Sequence, residues 1–136
     1  MTTSLMLRVA SVISFLFAAA HSLGGLSKWS PVPDNPVLRA MTTTRFPVMG
    51  VSRSYLDLYL GLGWSISVFM LLQAVLLWQM ASLARTDAAP VRPMVAAFAL
   101  AALVNGVIAW FLIFAIPALF SAALLVALVA AYLARR

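Results

Sequence analysis

Cysteine is absent from this chain of 136 residues. That removes a disulfide framework, a thiolate metal site and any CxxC redox pair, and with the pair go the four-span quinone reductases that depend on one. Charge is nearly as scarce. There are 3 acidic residues, Asp34, Asp57 and Asp87, against 9 Lys and Arg, and 1 histidine, His21. A lone histidine cannot supply the paired axial ligands of a haem in a helix bundle, and His, Asp and Asn scattered singly make a poor metal site. No metal and no cofactor is expected. A Ser-His-Asp motif, a glycine-rich phosphate loop and an HExxH helix are missing as well.

What fills the chain instead is apolar. It is 65% hydrophobic and 9% charged, where an ordinary globular domain carries about 25% charged residues. The mean hydropathy is +1.07. The apolar residues cluster into runs that match the roughly 20 residues needed to cross about 30 Å of hydrocarbon. This composition predicts an integral membrane protein of a single domain, residues 1–136. The net charge of +6 follows from that class, because Lys and Arg flank membrane segments and meet anionic headgroups. Nucleic acid is not an expected partner.

The pattern predicts four spans. The first covers about residues 4–23, with Arg8 near enough to its end to snorkel. Arg8, an apolar stretch and Ala18-Ala19-Ala20 also fit a cleavable signal peptide; the segment is read as a retained span. The second covers 55–83 and carries no charge after Asp57. The polar link ARTDAAPVRP, 84–93, places Pro93 at the start of the next helix. From Met94 to Ala134 no charge occurs at all. One helix of that length would be about twice a bilayer. Pro117 is the expected break, giving spans at 94–116 and 118–134, the last anchored by Tyr132, Arg135 and Arg136. The fold class is all-α, a four-helix transmembrane bundle with a structured surface loop.

Four spans put both termini and the 84–93 link on one side, with Arg8, Arg85, Arg92, Arg135 and Arg136. Lys28, Arg39, Arg45 and Arg53 lie on the other. The small excess, with the terminal amine, favours cytoplasmic termini in a bacterial inner (plasma) membrane.

The loop at 25–52 is long enough to be functional. Asn35-Pro36 reads as an N-cap and first helical residue, predicting a helix near 36–41 that rests Val37, Leu38 and Met41 on the bilayer or bundle. Trp29, Phe46 and Met49 are expected apolar anchors. The whole reads as a lid on the membrane surface.

Within RSYLDLYLGLGW, 53–64, the order Ser54-x-x-Asp57 matches a capping box. Arg53, four residues earlier, is a candidate ion-pair partner, as is Arg45. The other reading of Asp57 is a carboxylate facing a cavity below the lid, since ionisable groups near a membrane are costly and often functional. Helical spacing puts Arg53, Asp57, Gly61, Trp64 and Val68 on one side of the second span, with Tyr55, Tyr59, Leu62, Ile66 and Gln73 on the other. Small or hydroxyl stripes, namely Ser4, Ser11, Ser14, Ala18 and Ser22, then Ala99, Ala102, Gly106 and Ala109, then Ala123, Ala127 and Ala130, predict close helix packing. His21 ends the first span on the lid side, and antiparallel neighbours would bring it to the depth of Arg53 and Asp57. An imidazole beside a carboxylate can move protons. The plainer alternative is a His bonded to a loop carbonyl. Asn105, midway along the third span, is either a ligand contact or helix glue.

Small multidrug antiporters are similar in size, but they carry an acid within the first span, and this chain has none there. The stretch RFPVMGVSRSYLDLYLGLGWSISVFMLLQAVLLWQMASLARTD, residues 45–87, resembles a group of uncharacterised bacterial four-span membrane proteins, a likeness over about a third of the chain that implies no established activity. In outline alone the chain is also similar to DoxX-like proteins and the EXPERA-type domain; the catalytic acids of the latter have no counterpart here. The expected function is a pocket for an apolar ligand of lipid, quinone or isoprenoid type under the lid. His21 and Asp57 are its candidate catalytic residues, and Arg45, Arg53, Tyr55, Tyr59, Trp64 and Asn105 its candidate ligand contacts. A non-catalytic subunit docking a membrane-protein partner or a second copy of itself is the alternative, and a small transporter the third.

Overall fold

The computed structural model describes residues 2–26 and 35–134. Lys28, Asp34, the expected anchor Trp29 and the terminal Arg135 and Arg136 lie outside the described residues.

Helix α1, Thr3–Ala20, starts where Thr2 Oγ1 accepts the Leu5 N–H at 3.3 Å, so a freed helix-end donor is satisfied. It passes without interruption into a π-helical segment, His21–Leu26. Helix α2, Pro36–Thr43, begins as its sequence predicts: the Asn35 side chain accepts from Val37 N–H at 2.9 Å and proline follows at once. A two-stranded antiparallel hairpin comes next, β1, Arg45–Val48, and β2, Val51–Ser54. Its register pairs Arg45 with Ser54, Phe46 with Arg53, and Val48 with Val51. Met49 and Gly50 both have positive φ, 47° and 87°, as a two-residue type I′ turn requires. This hairpin is an addition to the expected surface loop, and its turn presents Met49 outward at 100% exposure instead of anchoring it.

Helix α3, Tyr55–Leu83, is unbroken over 29 residues, a length of about 43 Å. Helices α4, Arg92–Leu112, and α5, Ala115–Leu133, form the last two elements. The break between them falls at Ile113–Phe114, not at Pro117. The reason is local. A proline in a helix clashes with the carbonyl four residues before it, here that of Ile113, so the chain leaves the helix there. Pro117 then sits in the first turn of α5, where a missing N–H costs nothing.

The chain divides into two compact units, Met1–Phe17 with Met70–Arg136, and Ala18–Phe69. In the first, parts of α1 and α3 join α4 and α5 around a core in which Leu7, Leu77, Val91, Val95 and Leu128 are wholly buried. The serine stripe of α1 is buried, and its hydroxyls reach across to α3. Ser4 and Ser11 donate to the carbonyls of Ala81 and Ala74, each at 2.7 Å, and Ser14 donates to that of Met70 at 3.3 Å. The descending partner numbers make the two helices antiparallel. Ala102 and Ala109 are buried as their stripe predicts, and Phe17 stacks on Phe120 with centroids 4.9 Å apart. The expected α5 stripe is shifted, with Ala123 exposed and Ser121, Leu124, Ala127, Leu128 and Ala131 buried.

All four long helices expose large apolar side chains outward. They are long and apolar enough to cross a membrane, which fits a multi-pass membrane protein: in water such continuous apolar surface would be strongly unfavourable.

Candidate functional site

The second unit holds two polar clusters. One forms where the hairpin runs into α3. Because β2 ends at Ser54 and α3 begins at the next residue, Ser54 is the N-cap. Its Oγ accepts the Asp57 N–H at 3.1 Å, and Asp57 Oδ2 accepts the Ser54 N–H at 2.9 Å. This is a reciprocal capping box with Asp in the place usually held by Glu. The same Oδ2 lies 3.7 Å from the Arg45 guanidinium, with Arg45 53% and Asp57 45% exposed. Such an open pair contributes little by itself. Arg45 is held further by Ser52, whose Oγ and carbonyl accept from its Nε and terminal NH at 3.3 and 3.1 Å. Arg53 takes a different course, donating to the Ser52 carbonyl at 3.2 Å, and Phe46 meets the Tyr55 ring at a centroid distance of 4.8 Å. The strand pair therefore supplies two guanidinium groups and an aromatic pair to the first turn of α3.

The other cluster gathers around Ser67. Its hydroxyl lies 3.0 Å from His21 Nδ1 and accepts from Ser22 Oγ at 2.9 Å. Ser22 also lies 2.8 Å from the Ala18 carbonyl, a second acceptor for the one hydroxyl proton. The π-helical start at His21 brings both neighbouring side chains to one serine. Single π turns of this kind recur at functional sites. Ser67 is buried and His21 is half-buried. Among the described residues the other imidazole nitrogen, Nε2, has no partner.

These clusters correct the expected alignment of His21 with Arg53 and Asp57. His21 meets α3 at Ser67, ten residues beyond Asp57, which is about 15 Å along the helix. The expected cavity-facing side of α3 is also outward: Asp57, Gly61, Trp64 and Val68 are all exposed. The packed positions are Gly63, Ser67, Ala74, Leu77 and Ala81, a face lying between the two read from the sequence. Ser67 was missed for that reason, although Gly63-x-x-x-Ser67 is the small-residue spacing that marks packed membrane helices.

Of the remaining candidates, Tyr55, Tyr59 and Trp64 are exposed on the first half of α3. Asn105 belongs to the first unit, where its Nδ2 donates to Ser121 Oγ at 2.9 Å and ties α4 to α5. Among the described residues no group of His, Cys, Asp or Glu could hold a metal ion. Two open apolar grooves of about 390 and 240 Å³ lie in the first unit, and neither is lined by His21, Asp57 or the hairpin. Comparison with protein families, curated proteins and solved structures found no match.

Proposed function

We propose that this protein binds an amphipathic ligand, with a lipid, quinone or isoprenoid tail, at the membrane surface beside the hairpin. The head rests on Arg45 and Arg53, the tail runs along the apolar outer face of α3, and Tyr55, Tyr59 and Trp64 line the way between them. One observation carries this reading. The hairpin fixes two exposed guanidinium groups and an aromatic pair at the point where a long apolar helix begins. Arginine forks suit anionic and carbonyl oxygens. Binding is favoured over proton shuttling, because Asp57 already serves as a cap and His21 is too far along α3 to exchange a proton with it directly. The setting is a bacterial inner membrane with the termini and the 84–91 link cytoplasmic.

The test is native mass spectrometry of detergent-purified protein. Wild type should retain a stoichiometric ligand, and Arg45→Gln/Arg53→Gln should lose about tenfold of it, as expected for removing charge-assisted bonds, at an unchanged melting temperature. Equal retention by the double variant sinks the proposal. Asp57→Asn separates cap from anchor: unchanged ligand with a small drop in melting temperature leaves only capping.

A docking role for a partner membrane protein is favoured by a different observation. The tip between α4 and α5, residues 110–116, is wholly apolar, and Trp110, Phe111, Leu112, Ile113, Phe114 and Ile116 are all exposed. Copurification of one stoichiometric membrane protein, lost in Phe111→Ser, would support that role.

A further inference from the structure

In the first unit, Arg8 lies over the Trp78 ring, its guanidinium carbon 4.8 Å from the centroid. Among the described residues it has no carboxylate partner and its N–H donors meet no acceptor. Arg8 is five residues into α1, about 8 Å along the axis from Thr3. A cation held there beside hydrocarbon is costly unless an anion or water meets it. The indole face offsets part of that cost, and the guanidinium N–H donors remain available to oxygen ligands.

Directly inward from this pair runs the larger apolar groove. Ser11, Val12 and Phe15 of α1 face Val75, Trp78 and Gln79 of α3 across about 390 Å³, a volume within the roughly 300–1,000 Å³ of ligand clefts. Its lining is almost entirely apolar, and Trp78 belongs to both the groove and the cation contact. The α3–α4 link adds exposed Arg85, and the start of α4 exposed Arg92, against a single aspartate, Asp87. With Arg8, that makes three positive charges to one negative around the link and the Arg8 site, the balance that attracts anionic lipid.

We propose that this groove is a binding site for one anionic phospholipid, its phosphate bridged by Arg8 on Trp78 and one acyl chain lying between Val12, Phe15 and Val75. The site is independent of the hairpin surface proposed above. Charge complementarity selects the occupant: an uncharged helix from a second copy of the chain would fill the groove but leave Arg8 without an anion.

Protein reconstituted in nanodiscs of equimolar phosphatidylglycerol and phosphatidylcholine provides the test, with retained lipids read by native mass spectrometry. Wild type should enrich phosphatidylglycerol about fivefold, the preference expected for one basic side chain at an anionic surface. Arg8→Gln should abolish that preference, and Arg45→Gln/Arg53→Gln should keep it. Val75→Trp, which fills the groove without changing charge, should lower retained lipid at an unchanged melting temperature. If Arg8→Gln does not fold, the wild-type preference and Val75→Trp decide. Equal retention of the two lipids by wild type, a wild-type preference in Arg8→Gln, or undiminished lipid on Val75→Trp each overturns the site. So does a dimer in wild type that Val75→Trp dissociates.

Discussion

At the residue scale, four buried serines, Ser4, Ser11, Ser14 and Ser67, keep a hydroxyl inside apolar helices by donating to a carbonyl on another turn or helix. Ser11 and Ser14 use the second lone pairs of carbonyls inside the α3 ladder, while Ser4 donates to the Ala81 carbonyl in the last turn of α3, where helix carbonyls lack a partner of their own. Ser67 differs from these because it receives two side chains, His21 and Ser22. Ser65, two residues earlier, only lies 2.9 Å from the Gly61 carbonyl on its own helix. The two serines therefore predict different costs. Ser67→Ala should destabilise by about 1–2 kcal/mol, since bonds between membrane helices average about 0.6 kcal/mol, reach about 1.7 and here number two. Ser65→Ala should stay within about 0.5 kcal/mol of wild type. Equilibrium unfolding of both variants in mixed micelles measures the difference, and equal costs would remove Ser67 from its central place.

At the element scale, α4 and α5 pack through small residues, and Gly106 is a point of close approach. A Cβ built there would stand 3.3 Å from Ser121 Cβ, beside the Asn105–Ser121 bond. Gly106→Leu must push the helices apart, at about 1–3 kcal/mol. Gly61 meets nothing within 4 Å, so Gly61→Ala should gain up to about 1 kcal/mol of helix propensity. Thermal melting of the two variants should move in opposite directions; a destabilised Gly61→Ala would mean that an unseen contact uses that face. This stripe was legible in the sequence because small residues at spacings of three, four and seven have few other uses in an apolar helix. The α2 start was legible for an equally local reason, the side-chain cap of Asn35 followed by proline. The β-hairpin was not. Its turn is Met49-Gly50, and a methionine at positive φ carries none of the usual Asn-Gly signal, so Phe46 and Met49 read as loop anchors. The packed face of α3 escaped for a different reason. Nearly every residue on that helix is apolar, so the lipid-facing and bundle-facing sides have the same hydropathy and periodicity cannot separate them. His21 was thus legible as a candidate while its partner Ser67 was not.

At the scale of the whole molecule, α3 is longer than a bilayer requires. Its 29 residues extend about 43 Å, against about 30 Å of hydrocarbon. The polar link with Arg85 follows Leu83 almost at once, which fixes that end near the membrane boundary. Counting the roughly 20 residues of one crossing back from Leu83 arrives at Trp64, an exposed tryptophan of the kind that marks the interface. On that count the remaining turns, Tyr55 to Gly63, are expected among the headgroups and in water. They carry Asp57, and the hairpin with its two arginines continues from them. Such a placement would account for a half-exposed carboxylate at the end of so apolar a helix: water and headgroups would solvate it, with no need of a buried partner. The absence of cysteine makes the depth directly measurable by single substitutions. Gly61→Cys should react with a membrane-impermeant maleimide in proteoliposomes, from the same side as Met49→Cys in the turn. Thr86→Cys in the α3–α4 link should react only from the other side. Val75→Cys, on the lipid-facing flank inside the crossing, should stay unlabelled from both sides. If Gly61→Cys is protected as well as Val75→Cys, then α3 is submerged to its first turn, and Asp57 would have to be carried by its contacts with Ser54 and Arg45 alone.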